Sequence, residues 1–251
     1  MTTLSEIRVF LDRELKIAEI PDYPMALNGL QLEGGGEVKR VAAAVDASLP
    51  VFEKAIAHEV QLLLVHHGMF WQGTQPMTGA LYKKLKLAMD AGMAVYSAHI
   101  PLDVHPEWGN NTQLARALGV SDPRPFMSWK GISLGLQGEV EMTRDNLLQR
   151  VELAVGGAVH VCPGGPELVK RVGIVTGGAG SQIADAAAEG VDTFITGEGP
   201  HWSYPLAEEL EINLIYAGHY ATETFGVKVL AQVLQERFGV EWLFVDHPTG
   251  L

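Results

Sequence analysis

The stretch Gln61-Leu62-Leu63-Leu64-Val65-His66-His67-Gly68 decides how this chain folds. Its leucine and valine run has the length and unbroken apolarity of a parallel strand covered on both faces. Two imidazoles close it. Open α/β sheets bind ligands beyond the carboxyl ends of their strands, so His66 and His67 stand where a site belongs and suggest a metal. A single histidine there is ordinarily hydrogen-bonded scaffold; two in succession favour ligands. Neighbouring side chains of an extended chain point to opposite faces. Both can therefore reach one site only if the strand ends in a turn, which Gly68 permits.

Outward from this stretch the chain repeats itself. Val38-Lys39-Arg40-Val41 recurs 131 residues on as Val169-Lys170-Arg171-Val172, and the same offset carries Leu64 to Ile195, His67 to Glu198, Gly68 to Gly199 and Trp71 to Trp202. Each copy reads strand, helix, strand, over 38–45, 50–58 and 61–65 and then over 169–175, 182–189 and 191–195. An offset of 120 next lays Val95-Tyr96-Ser97-Ala98-His99 on Ile215-Tyr216-Ala217-Gly218-His219, and Asp103 on Glu223. Alternation of this kind implies right-handed crossovers between parallel strands. The expected fold is α/β, with two pseudo-repeated lobes of mainly parallel mixed sheets flanked by helices and a metal site between them. The lobes are expected at 1–125 and 126–251, with the C-terminal helix and strand packing back on the first. Segment 126–166 breaks the pattern, with strands over 132–140 and 158–162 and a helix over 143–155 capped by Thr143. An amphipathic helix over 4–15 precedes everything.

Composition excludes several classes. A net charge of −12 argues against nucleic-acid binding, which needs clustered Lys and Arg. It leaves room for an anionic small molecule held by a metal or by backbone amides. No apolar run approaches the roughly 18 residues of a membrane span, and no signal peptide is evident, so a cytoplasmic protein is expected. Cys162, the one cysteine, fits a reducing compartment and reads as a small buried residue.

His66, His67, His99, Asp103, His219 and Glu223 form a set of imidazoles and carboxylates without thiolates. Such a set suits zinc, iron, manganese or nickel better than calcium, magnesium or copper(I). His219 and Glu223 share a helix face if a helix starts at His219, whereas Pro101 argues against a continuous helix between His99 and Asp103. So many ligands exceed one tetrahedral site, and two divalent ions sharing an acidified water use them economically.

The segments Leu64-Val65-His66-His67-Gly68, His99-Ile100-Pro101-Leu102-Asp103, Thr176-Gly177-Gly178-Ala179-Gly180-Ser181, Ile195-Thr196-Gly197-Glu198 and Gly218-His219-Tyr220-Ala221-Thr222-Glu223 resemble the Nif-three-like dinuclear metal-centre family. Its bacterial members are labelled GTP cyclohydrolase I type-two homologues. The resemblance runs nearly end to end and includes Asn28-Gly29-Leu30-Gln31 and Val45-Asp46-Ala47-Ser48. It implies His66, His67, Asp103, His219 and Glu223 as ligands of two divalent metals, and a ring-shaped homohexamer. It places His99 beside the metals, supporting a ligand or facing substrate. Gly199-Pro200-His201-Trp202 departs from the family pattern, which leaves His201 without a role.

Three further features carry two readings each. Gly177-Gly178-Ala179-Gly180-Ser181 suits a phosphate cradle or a tight structural turn. Glu198 suits a catalytic general base or a salt-bridge partner. Trp71 and Trp202 read as lobe packing ahead of substrate stacking. For function, a metal-dependent hydrolase of a nucleotide or other phosphate-bearing small molecule, with His99 and Glu198 as its catalytic candidates, stands beside a non-enzymatic metal-handling or regulatory interaction protein.

Overall fold

The structure, a computed structural model, describes residues 2–71, 73 and 75–251. Residue contacts divide the chain into two units, Met1–Leu102 with Gly226–His247, and Asp103–Phe225 with Pro248–Leu251.

The first unit opens with α1 (Leu4–Glu14), started by a capping box in which Thr3 and Glu6 satisfy each other's backbone amides. Its apolar face buries Leu4, Ile7 and Leu11. Then follow β1 (Gly29–Leu32), β2 (Arg40–Asp46), α2 (Leu49–Ala57), β3 (Leu62–His67), α3 (Gly79–Asp90) and β4 (Ala94–Ser97). Helix α10 (Thr224–Phe238) returns late in the chain and leads into β11 (Glu241–Phe244), which lies parallel to β2. The sheet order is β1-β4-β3-β2-β11, parallel except for the edge strand β1. Leu62 to Val65 are buried because β3 is the central strand. Truncating Leu63 to alanine would cost about 2–5 kcal/mol.

The second unit takes the chain from the end of α4 (Ile100–Asp103) through α5 (Asn110–Leu118), β5 (Ser121–Trp129), β6 (Ile132–Thr143), α6 (Arg144–Val155), β7 (His160–Pro163) and β8 (Leu168–Ile174). A short 3-10 turn (Gly180–Gln182), α7 (Ile183–Ala188), β9 (Thr193–Thr196), α8 (Ser203–Glu209), β10 (Asn213–Tyr216) and α9 (His219–Thr222) complete it. Its sheet runs β5-β6-β8-β9-β10-β7, parallel only across β8, β9 and β10. The long hairpin β5–β6 joins one side antiparallel and β7 the other. The fold is mixed α/β with two mixed sheets flanked by helices. Contacts divide the chain after Leu102, whereas the expected boundary lay near residue 125, because α5 packs on α6, β6 and β8. Thr143 caps α6 by accepting a hydrogen bond from the Asn146 amide, and Cys162 is buried in β7.

The repeat is written into the ladders. Val41 pairs with Leu62 between β2 and β3, and Val172 pairs with Thr193 between β8 and β9, which is the 131-residue offset at both ends. The next strand departs from the expected alignment. Leu64 faces Tyr96, while its counterpart Ile195 faces Ile215, so the structural offset there is 119 rather than 120. The amide contacts agree, Ala98 donating to Val65 and Ala217 to Thr196. Gly218, at a φ of +87°, is thus an extra residue between the strand exit and His219, and the backbone equivalent of His99 is Gly218.

Candidate metal centre

In the first unit three imidazoles converge beyond the carboxyl edge of the sheet. The rings of His66 and His67 lie 4.8 Å apart, those of His66 and His99 5.0 Å, and one nitrogen of each of the three lies within 4.8 Å of the others. The Cα ladder explains how adjacent residues meet. β4 stops pairing with β3 at Val65, while β2 pairs on to His67, so the backbone ladder continues on one side only. Gly68 makes room for Gln31, whose side-chain oxygen accepts from the Met69 amide.

Each ring is oriented by a hydrogen bond at Nδ1. The His66 Nδ1–H donates to the Ala98 carbonyl at 2.9 Å, that of His67 to Asp46 Oδ1 at 2.8 Å, and that of His99 to Asp22 Oδ1 at 2.9 Å. A carbonyl or carboxylate oxygen can only accept, so the proton sits on Nδ1, and in the neutral ring Nε2 carries the lone pair. Asn28 holds the same corner, accepting from the His99 amide and donating to Asp22. The Asp22 carboxyl is buried, which alone would raise its pKa, yet the bonds from His99, Asn28 and the Tyr23 amide hold it below its ordinary value.

The second unit assembles its groups at the ends of β8 and β10. Helix α9 is a single turn starting at His219, and Glu223 follows it, so their side chains share one face and His219 Nε2 lies 3.2 Å from Glu223 Oε2. His219 Nδ1 is 2.8 Å from Glu198 Oε1. Burial opposes the charged ring, but the bonds and charges of Glu223 and Glu198 outweigh it and push His219 up to about 9. Asp103 is buried, and its Oδ1 accepts from Asn110 Nδ2 at 2.8 Å. Asn111 braces the same turn by donating to the Asp103 and Leu134 carbonyls and accepting from the Thr176 amide. Thr176 leads directly to Gly177, where a Cβ would lie 2.3 Å from Glu223 Oε1 at a φ of +73°. Only glycine serves there.

The glycine-rich segment makes turn contacts at three of its amides. Gly177 donates to Thr222 Oγ1, Ala179 to Thr196 Oγ1 and Gly180 to the Glu198 carbonyl, so these amides are engaged within the fold. The two tryptophans differ in their surroundings. Trp71 stands edge-on to His99 at 4.8 Å and to His67 at 5.8 Å, while Trp202 is 50% exposed. Trp71 is thereby part of the histidine corner, held by its Nε1–H to the Gly68 carbonyl.

Sequence reasoning did not assign Asp22, Asp46, Asn28, Asn110, Asn111 or Thr176. For Asp46 a signal existed, since a carboxylate at the end of β2 faces the His67 register of a parallel neighbour. Asp22 and Asn28 lie in a loop without periodicity.

Residues 2–250 match the family profile of Duf34/NIF3 (NGG1p interacting factor 3). The chain belongs to this family. It is 41% identical to a Deinococcus radiodurans protein named GTP cyclohydrolase 1 type 2 homolog, over 98% of this chain and 94% of that one. A protein of the same name from Pyrococcus abyssi is 44% identical, covering 98% of each chain. A crystal structure from Thermus thermophilus superposes over 100% of both chains with a TM-score of 0.91 and 40% identity. These are similarities of Duf34/NIF3 chains to one another. The histidine cluster of this member could hold a metal, and among the described residues no helix is long and apolar enough to cross a membrane.

Proposed function

We propose that His66 and His67 of the first unit, with Asp103, His219 and Glu223 of the second, hold two divalent metal ions per chain, and that the protein is a metal-dependent hydrolase of a nucleotide or other phosphate-bearing small molecule. The observation that carries this reading is the hydrogen bond at Nδ1 of every imidazole in the set, to Ala98, Asp46 or Glu198, which presents Nε2 as the ligand atom. Metal-binding histidines are oriented in this way. Three further features support it. Asp103 and Glu223 are buried carboxylates, and burying such charge favours a nearby positive partner such as a metal ion. The donors are nitrogen and oxygen alone, as zinc, iron, manganese and nickel accept. The chain leaves the first unit at Asp103 and re-enters it at Gly226, three residues after Glu223.

Bound divalent ions would serve as Lewis acids and acidify water for attack on a phosphate ester or an electron-poor ring carbon. The chain's own groups do the rest. Asp46 and Glu198 keep His67 and His219 in the required tautomer and orientation. Asn110 and Thr176 hold one oxygen of Asp103 in place. His99, fixed on Asp22, and Glu198, partly open to solvent, are assigned the handling of protons at substrate. The name shared by the relatives points to GTP as the first substrate to try. A homohexamer is part of the proposal, with light scattering as its check.

The burial of His66, Asp103 and Glu223 equally suits tight metal retention, the reading in which the protein stores or senses metal. Turnover separates the two. Metal-reconstituted protein is screened against nucleotides with Mn²⁺, Zn²⁺ or Fe²⁺. Activity that His67→Ala and Glu223→Ala both abolish supports the hydrolase. Bound metal without turnover supports retention, and activity surviving both substitutions places the reaction elsewhere.

A further inference from the structure

Lys84 on α3 is a half-buried cation whose position the metal reading does not use. Its Nζ–H₃ donates to the Ala47 carbonyl at 2.8 Å and lies 5.9 Å from the Phe52 ring centroid. No carboxylate of the described residues pairs with it, and burial lowers its pKa. It stands instead at the start of α2, where the helix dipole is positive and repels it.

Further donors follow Ala47, the residue Lys84 holds, along the chain. Ser48 is the N-cap of α2, yet its hydroxyl does not cap the helix, and Ser48 Oγ is shielded from solvent without a hydrogen-bond partner among the described residues. A buried hydroxyl left unmatched costs about 1–3 kcal/mol. In the first turn of α2, Leu49 and Val51 carry amides without intrahelical acceptors, and Pro50 has no N–H. Ammonium, hydroxyl and amides all offer hydrogen and positive potential, and all gain from one negatively charged acceptor. The place is next to the histidine corner, because the Ala47 amide donates to the His67 carbonyl and Asp46 holds the His67 ring.

We propose that Lys84, with Ser48, binds a phosphate-type oxyanion of the substrate beside His67. The assignment to substrate rests on the hydrolase reading above; the oxyanion site itself does not need the metals.

The test is calorimetric titration of the protein with inorganic phosphate and with GTP, comparing wild type with Lys84→Met, Lys84→Arg and Ser48→Ala, metal content being measured in the same samples. Phosphate and GTP are expected to bind wild type, to bind Lys84→Met about tenfold more weakly or worse, as loss of one charge-assisted hydrogen bond requires, and to recover in part with Lys84→Arg. Metal content is expected to stay unchanged in all three variants. Wild-type affinity in Lys84→Met, or no phosphate binding by wild type, overturns the site. Phosphate binding that GTP cannot displace overturns the assignment to substrate. Should Lys84→Met fail to fold, Ser48→Ala decides: weaker phosphate binding supports the site and unchanged affinity overturns it. Lys84-dependent binding in wild-type protein that takes up no metal leaves the oxyanion site standing and removes the metal reading alone.

Discussion

The ends of β3 and β9 occupy the same place in two copies of one ladder, yet they carry different chemistry. β3 ends in His66-His67, and the equivalent end of β9 continues into Gly197-Glu198. In the first copy a strand-end imidazole is supported by a carboxylate from the preceding strand, His67 by Asp46. In the second the strand end supplies the carboxylate, Glu198, and the imidazole comes from the following turn, His219. Position 177, the counterpart of Asp46, is a glycine because the Glu223 carboxylate occupies the space a side chain would need. Duplication thus preserved the backbone frame and the imidazole–carboxylate pair, while the residues that supply each partner changed places.

The largest effect is expected from forcing the second copy to resemble the first. Gly177→Ala puts a Cβ 2.3 Å from Glu223 Oε1 in left-handed backbone, and should destabilise the chain by about 1–3 kcal/mol in urea unfolding. Gly157→Ala, where a Cβ meets nothing within 4 Å, is the control; its change should stay within about 0.5 kcal/mol. Equal costs would show that the crowding at Gly177 is not what the two copies differ by.

The supporting carboxylates come next. Asp46→Asn and Glu198→Gln should each weaken metal binding by about 10- to 100-fold in competition with a chromophoric chelator. A loss in only one variant would break the equivalence of the two pairs. A smaller effect concerns protons in metal-free protein. His219 titrates at about 9 instead of 6.5, so the folded state holds its proton more tightly than the unfolded state does. The resulting stability is fully present below pH 6.5 and is lost as pH rises through about 9. Glu198→Gln removes one of the groups that raise this pKa, and NMR titration of the ring should show a lower value. An unmoved titration would mean that Glu198 does not share its proton. Smallest of all, Trp202→Ala at a half-exposed site should change stability by less than about 0.5 kcal/mol, while Trp71→Ala, beside His99, should alter metal affinity as well.

The apolar run before His66 announced the central strand, and the Val-Lys-Arg-Val repeat announced the second sheet's parallel centre, because both signals are local and periodic. The i, i+4 spacing of His219 and Glu223 was likewise readable, since one turn of helix sets it. The one-residue slip at Gly218 was not, because matching histidines in the alignment hid a change in ladder register. Hairpin β5–β6 gave no sign of joining β8 antiparallel, as strand pairing is a long-range choice. Asp22, Asn28, Asn110 and Asn111 escaped for a similar reason. Each acts by a hydrogen bond to another element, and nothing in its neighbours along the chain marks it.

The most direct measurement is metal content by mass spectrometry of wild type, His67→Ala and Glu223→Ala, one proposed ligand being removed from each unit. If both units hold the same pair of ions, wild type carries about two per chain, and each single substitution lowers the count sharply. Full occupancy in both variants, or a metal-free wild type after reconstitution, would contradict a centre built from His66, His67, Asp103, His219 and Glu223.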